Sequence, residues 1–162
     1  MTKTNSGKRF EEKFRRSVEA LPDRHFVMRV PDKLVPVGGG RAVSKPTEGD
    51  FVVACRAGTF LVECKATSRK SLEFGKVEEH QERALSAFDA YPRSHGLLAV
   101  EFYDQASYRT ARRMFLLRIS DWLAYKESSG RKSMPIKAFE ELGSEAERSG
   151  ALYIVDFEGA VS

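Results

Sequence analysis

Glu63 and Lys65 stand two residues apart at the end of an apolar run in the stretch GTFLVECKATS, residues 58–68. Such a run is typical of a buried β-strand, where charged side chains are normally kept out. Two explanations fit this placement: an ion pair on an edge strand, or an active site. Glu11 and Lys13 have the same spacing, so the spacing alone does not decide between them.

The neighbouring strand brings a second carboxylate into reach. Strands are predicted over 51–55 and 59–66, joined by a hairpin turn. If Ala57 and Gly58 form a two-residue turn, Val52 pairs with Glu63 and Asp50 pairs with Lys65. Because opposed residues point the same way, Asp50 would then lie diagonal to Glu63, roughly 5–8 Å away. A three-residue turn would instead place Asp50 on the other face of the sheet.

Two carboxylates and an ammonium at one corner of a sheet suit metal-assisted hydrolysis. The carboxylates repel each other unless a hard cation lies between them, and Mg²⁺ prefers oxygen ligands and retained waters. A metal-bound water is a good nucleophile at neutral pH. Lys65 would position that water or stabilise developing negative charge.

Two further polar residues are candidates for the same corner. Gln81 occupies an apolar, inward position of a helix predicted over 76–90, where a buried amide needs partners. It is either part of the site or a satisfied core or boundary glutamine. Glu11 flanks the apolar stripe of a helix predicted over 8–21; by itself it would be a solvated carboxylate near the helix start.

The remaining pattern predicts one α/β domain spanning all 162 residues. Residues 31–49 contain three prolines and Gly38-Gly39-Gly40, and are predicted to be a long loop or flexible arm. Further elements are predicted as follows: strands over 25–30, 96–103, 114–119 and 151–157, a short helix starting at Ser120, and a helix from Ser133 to near Gly143.

Composition limits the function classes. Lys and Arg number 27 against 23 Asp and Glu, a net charge of +4 that suits either a nucleic-acid partner or an ordinary basic protein. Cys55 and Cys64 are too few for a disulfide scaffold and lack zinc-site spacing. The three histidines do not cluster, and no phosphate-binding glycine loop occurs. Without a signal-peptide core or transmembrane run, the chain is expected to be intracellular, in the cytoplasm.

Taken together, Asp50, Glu63-Cys64-Lys65 and Gln81 resemble the PD-(D/E)xK nuclease superfamily. Glu11, four residues after Gly7, is similar to the N-terminal glutamate of its Holliday-junction resolvase branch. The stretches KPTEGDF, LEFGKVEEHQERAL and RKSMPIKAFEELG resemble RecU-type resolvases of bacteria and phages, whereas archaeal-type resolvases share only the core. Two features depart from the pattern: Gly49 replaces the usual proline, and 31–48 is shorter than the RecU-type stalk.

The resemblance implies a restriction-endonuclease-like fold, with a central mixed sheet flanked by helices. It implies a Mg²⁺ ion bound by Asp50, Glu63, the Cys64 carbonyl and Glu11. Mn²⁺ is expected to substitute for Mg²⁺ at this site. Lys65 and Gln81 would complete the catalytic set. Thr47 matches a hydroxyl residue that precedes the aspartate of the family.

The expected function is metal-dependent cleavage of branched DNA, most of all four-way junctions, in recombination and repair. A homodimer would supply two sites for two opposed strands. The alternatives are a repair or restriction-type nuclease on duplex or flapped DNA, and a DNA-binding module without catalysis. Thr47 is expected to contact the DNA through its hydroxyl. The basic residues expected to contact phosphates are Lys8, Arg9, Arg15, Arg16, Arg69 and Lys70, with Arg109, Arg112 and Arg113 later in the chain.

Overall fold

The computed structural model describes residues 5–45, 48–104, 106 and 111–162. The helices are α1 (Asn5–Glu19), α2 (Glu79–Asp89), α3 (Ile119–Ser128), α4 (Ile136–Leu142) and α5 (Phe157–Val161). The strands are β1 (Phe26–Arg29), β2 (Lys33–Gly38), β3 (Arg41–Lys45), β4 (Phe51–Cys55), β5 (Gly58–Thr67), β6 (Ser71–Glu73), β7 (Ser94–Tyr103), β8 (Arg112–Arg118), β9 (Ser133–Pro135), β10 (Ser144–Glu145), β11 (Glu147–Ser149) and β12 (Leu152–Ile154). A 3₁₀ turn, Phe74–Lys76, precedes α2.

A six-stranded mixed sheet in the order β1-β4-β5-β7-β8-β10 forms the centre. Only β5 and β7 run parallel within it. A parallel pair needs a crossover, and here β6, the 3₁₀ turn and α2 supply it. The predicted mixed α/β sheet flanked by helices is therefore confirmed.

Helices cover both faces of the sheet. The apolar stripe of α1 packs on one face, where Phe10 and Phe14 are fully buried with Phe51 and Phe60 of the central strands. The opposite face carries α2, α3 and α4. Its core contains Leu85, Leu98, Trp122 and Phe139, none of them exposed. The sheet is buried on both sides at β5 and β7, which explains the near-continuous apolar runs in these two strands.

Residues 31–49 were predicted to be a long loop or flexible arm, but the structure has two paired strands within this range. Strands β2 and β3 pair antiparallel and form a two-stranded ribbon. Gly39 and Gly40 make its turn with φ of 61° and 70°, the double positive φ that tight hairpin turns require. Nearly all the ribbon's side chains are exposed, so the ribbon lies outside the core.

The predicted last strand, 151–157, was wrong in its second half. The strand β12 ends at Ile154, and α5 begins at Phe157. Asp156 caps this helix, because its side chain accepts a hydrogen bond from the Gly159 N–H at 2.9 Å.

The predicted hairpin register between β4 and β5 was also wrong, by two residues. Cys55 pairs with Gly58, so Arg56 and Ala57 form the turn. Gly58 belongs to the strand, where a Cβ would lie 2.5 Å from the Arg93 carbonyl oxygen. Because the side-chain period of a strand is two, a shift of two residues leaves every side chain on its predicted face.

Candidate active site

Asp50 lies one step beyond the last paired residues of the hairpin, Phe51 and Val62. Its backbone N–H donates to the Val62 carbonyl at 2.8 Å, which extends the ladder. Its side chain accepts a hydrogen bond from the Cys64 N–H, also at 2.8 Å. The carboxylate is therefore held against the peptide that joins Glu63 to Cys64, in place of the diagonal pairing predicted from the sequence.

Glu63 is 1% exposed and lies on the sheet face that α2 covers. Its Oε1 lies 2.9 Å from the Lys65 ammonium and accepts a hydrogen bond from the Gln81 amide at 2.8 Å. Charged hydrogen bonds in a buried setting are strong, because little water competes for either partner. An edge-strand ion pair does not describe this arrangement, since β5 lies inside the sheet between β4 and β7.

Gln81 connects helix α2 to the site. Its side chain is turned inward and 6% exposed, as its helical position predicted. The amide oxygen accepts from Lys65 at 3.2 Å and from the Glu78 backbone N–H at 3.0 Å. The second bond is half of a capping box, with Glu78 as the N-cap residue. The start of α2 thus fixes the amide that faces Glu63 and Lys65.

A cavity of about 420 Å³ opens beside these groups. We call it the Lys65 cavity. Lys65, Gln81 and Cys64 line it, together with Glu11 and residues from the start of α1. Because α1 packs against β5, the first turns of α1 lie at the Lys65 cavity.

Glu11 is 3% exposed, so a solvated carboxylate does not describe it. Its Oε2 accepts a hydrogen bond from Arg29 of β1 at 2.8 Å. Sequence reasoning did not predict this partner, because nothing in the strand 26–29 marks Arg29 as different from other surface cations. Among the described residues, no three His, Cys, Asp or Glu side chains are grouped closely enough to hold a metal ion. Asp50, which accepts a hydrogen bond from the Cys64 N–H, and the neighbouring Glu63 are the candidate ligands for an ion at this site.

The donor set fits a hard cation. Asp50, just before β4, and Glu63 of β5 offer carboxylate oxygens, and Cys64 between Glu63 and Lys65 offers a backbone carbonyl. Mg²⁺ is commonly bound through one or two carboxylates, with waters and phosphate oxygens completing its shell. The carboxylates of Asp50 and Glu63 carry two negative charges, and the Lys65 ammonium carries one positive charge. A bound cation would offset the remaining negative charge.

The predicted phosphate-contacting cations fall into three groups. Lys8, Arg9 and Arg16 are exposed along α1. Arg15 is paired with Glu12 and Glu19, while Arg69 is paired with Glu73 at 2.6 Å beside the Lys65 cavity. Lys70 is exposed just after β5.

The later arginines behave differently from the prediction. Arg112 is buried, at 6% exposure, and Arg113 is paired with Glu140 and Glu145. Thr47 and Arg109 lie outside the described residues.

Two buried ionic clusters were missed in the sequence. Glu101 of β7 is fully buried and accepts hydrogen bonds from Lys13 at 2.8 Å and the Tyr153 hydroxyl at 2.6 Å. Glu82 of α2 accepts hydrogen bonds from the Trp122 indole and from Lys126, both at 2.9 Å. The partners are 40 or more residues apart in the chain, so no local spacing marks them.

The fold and the site together define an α/β protein with a carboxylate–lysine–glutamine cluster where β5 meets the start of α2. No protein-family profile matches the chain, and no curated protein does. Among solved structures, Hjc, a Holliday junction resolvase from the hyperthermophilic archaeon Archaeoglobus fulgidus, is similar in shape. It is 14% identical, with 88% of this chain and 95% of that chain covered and a TM-score of 0.49. This likeness concerns shape and assigns no activity. Within the described residues, no helix has the length and apolar character needed to cross a membrane.

Proposed function

We propose that this chain is a metal-dependent endonuclease that hydrolyses phosphodiesters in branched DNA, with four-way junctions as its preferred substrate. One observation carries the proposal: Lys65 and Gln81 line the Lys65 cavity and both bind the buried Glu63, while Asp50 accepts a hydrogen bond from the N–H of Cys64, the residue between Glu63 and Lys65. The sequence resemblance to junction resolvases of the PD-(D/E)xK superfamily supports the choice of substrate.

The metal would be held by Asp50 and Glu63, with the Cys64 carbonyl as a third ligand and Glu11 as a further carboxylate in or near the site. Mg²⁺, or Mn²⁺ in its place, would supply a water of lowered pKa and would offset charge on the phosphoryl group. The buried position of both carboxylates excludes competing water, which strengthens their interaction with a cation.

Lys65 is the proposed catalytic cation. An ammonium has three N–H donors, and Glu63 and Gln81 account for two of them. The third would reach a phosphate oxygen or the attacking water, since Lys65 lines the cavity. Gln81 fixes the direction of that ammonium and binds Glu63 at the same time, so it keeps the base of the site rigid.

The proposed working form is a homodimer. Two opposed strands of a junction must each be cut, and a twofold axis would give two sites of matched geometry. Arg69 and Lys70, next to the Lys65 cavity, would bind phosphates near the cut without reading sequence.

The test compares cleavage of a four-way junction with cleavage of linear duplexes built from the same arms, with and without Mg²⁺. We expect junction nicking that requires Mg²⁺. Asp50→Asn should lower its rate by roughly a hundredfold or more, because a ligand and its charge are lost. Junction binding in EDTA or Ca²⁺ should remain. Asp23→Asn, at an exposed aspartate before β1, is the matched control and should cut normally.

Each other outcome has a definite meaning. Equal cleavage of junction and duplex would favour a repair or restriction-type nuclease over a resolvase. DNA binding with no cleavage in any divalent metal would favour a DNA-binding module. Unchanged cleavage by Asp50→Asn would contradict the proposed metal site itself.

A further inference from the structure

A second cleft lies between α1 and the β11–β12 hairpin. It has a volume of about 1050 Å³ and shares no lining residue with the Lys65 cavity. Five cations and one carboxylate line it: Lys8, Arg9, Lys13, Arg16, Arg112 and Glu12. We call it the α1 cleft.

The α1 cleft carries exposed cations at Lys8, Arg9 and Arg16. Glu12, its one acidic residue, is ion-paired with Arg15, which is not among the lining residues. Lys13 is paired with Glu101 in the core. Among the described residues, Lys8, Arg9 and Arg16 make no ion pair, so their charges face solvent. The cleft therefore carries a concentrated positive charge.

The floor of the α1 cleft is built from buried charged groups. The Arg112 guanidinium stacks over the Tyr153 ring with 5.3 Å between its carbon and the ring centroid, and it donates to the Gly150 carbonyl at 2.9 Å. Its Nε is buried and has no hydrogen-bond partner within the part of the chain that the structure describes. Burial lowers the pKa of Lys13, although its hydrogen bond to Glu101 raises it, and the Arg112 charge lowers it further. An anion in the cleft would relieve the crowding of these positive charges.

The cations of the α1 cleft are spread along the helix, which suits an extended anion. Arg9 and Arg16 are seven residues apart on one helix, about 10 Å along its axis. Cations spread over this length, with Lys8 beside them, can contact successive phosphates of a polymer at the same time. Flexible basic side chains on a helix are a common means of binding a nucleic-acid backbone without reading bases.

We infer that the α1 cleft is a second nucleic-acid backbone site, distinct from the site of cutting. The inference rests on the proposed function, because α1 borders both the α1 cleft and the Lys65 cavity. A strand or arm beside the scissile phosphate would continue across α1 into the cleft. The cleft then sets affinity and placement, while the Lys65 cavity performs the chemistry.

The experiment measures junction binding in EDTA by fluorescence anisotropy at several salt concentrations. The cleft variant is Arg9→Gln/Arg16→Gln, at two exposed positions whose loss should leave the melting temperature unchanged. The control is Arg83→Gln/Arg131→Gln, which removes two exposed arginines outside both cavities. We expect the cleft variant to bind about tenfold more weakly and to lose roughly two from the slope of log Kd against log salt. The control should remain within about twofold of the wild type.

Three results would overturn the inference. The first is equal junction binding by the cleft variant and its control. The second is the absence of nucleic-acid binding by the wild type. The third is tighter binding of polyglutamate than of DNA at the same salt concentration. The last would assign the cleft to an acidic protein. Cleavage is scored separately, with enzyme and Mg²⁺ saturating. A wild type that binds DNA through the cleft but never cuts it would contradict only the proposed function.

Discussion

At the scale of single residues, Gly49 decides where Asp50 is placed. Its φ is +124°, a conformation that residues with side chains rarely adopt, and a Cβ there would lie 2.8 Å from Cδ1 of Leu61. Proline has φ near −65°, so the proline expected here from the sequence resemblance could not adopt the backbone conformation of Gly49, which precedes the carboxylate bound to the Cys64 N–H.

Gly49→Ala should therefore affect both stability and activity. We expect a loss of about 1–3 kcal/mol in the free energy of unfolding, from backbone strain and the contact with Leu61. The proposed Mg²⁺-dependent nicking should also fall, since Asp50 moves with its neighbour. Urea denaturation and the junction assay measure the two effects.

Gly75→Ala is the control for this prediction. Gly75 has no atom within 4 Å of the added Cβ, and its φ is not positive. Its stability should equal that of the wild type or exceed it slightly, because alanine restricts the unfolded chain. Equal stability of the two variants would contradict the role given to Gly49.

At the scale of elements, Arg113 links β8 to α4 and β10. Its guanidinium contacts Glu140 at 2.7 Å and Glu145 at 2.6 Å, on the face of the sheet away from α1. The hydrogen bond from Arg113 lowers the pKa of the Glu145 carboxyl, against a smaller opposing effect of burial. A carboxyl with a lowered pKa in the folded state stabilises the fold at pH values above its unfolded pKa.

Glu145→Gln should lower the free energy of unfolding at pH 7 by roughly 0.5 kcal/mol, a small value because both partners are partly exposed. The difference from the wild type should shrink as the pH falls below about 4.5, where the unfolded carboxyl becomes protonated, and should vanish below the folded pKa. Urea denaturation of both proteins at several pH values between about 3 and 7, a range that spans the reference pKa of glutamate, measures this difference in unfolding free energy. Glu147→Gln, at an exposed strand position, should show no such trend; a difference that grew toward low pH would contradict the assignment.

At the scale of the whole molecule, the proposed function requires two chains acting together. A mixed dimer, with one wild-type protomer and one protomer that carries Asp50→Asn, should cut only one strand of a junction. We expect mixed dimers, formed with excess variant, to leave nicked junctions that do not separate into two duplexes. Denaturing and native gels of the same reaction distinguish nicking from resolution.

Full resolution by mixed dimers at the wild-type rate would contradict paired cutting by a dimer. A chain that sediments as a monomer on DNA would do the same. Neither result would bear on the metal site, which the Asp50→Asn homodimer tests independently.

Local patterns alone were enough to predict several parts of the fold. The stripe of Phe10, Phe14 and Val18 predicted the buried face of α1, and the apolar run before Glu63 predicted β5. Gly39-Gly40 between two short apolar segments was a hairpin signal that the three prolines of 31–49 obscured. Asp156 before Phe157 was a helix-start signal that the apolar pattern of a strand outweighed.

The sequence by itself determined that Glu63 and Lys65 would share one face of a strand, because strand periodicity is local and survives a register shift of two. It left the face of Asp50 open, since that depends on the length of the turn. It also determined the inward position of Gln81, since helical spacing is equally local. Only the tertiary structure decided that Glu11 meets Arg29, that Glu101 binds Lys13 and Tyr153, and that the cations of α1 border a second cleft. These contacts join residues far apart in the chain, and their geometry follows from how helices pack across the sheet.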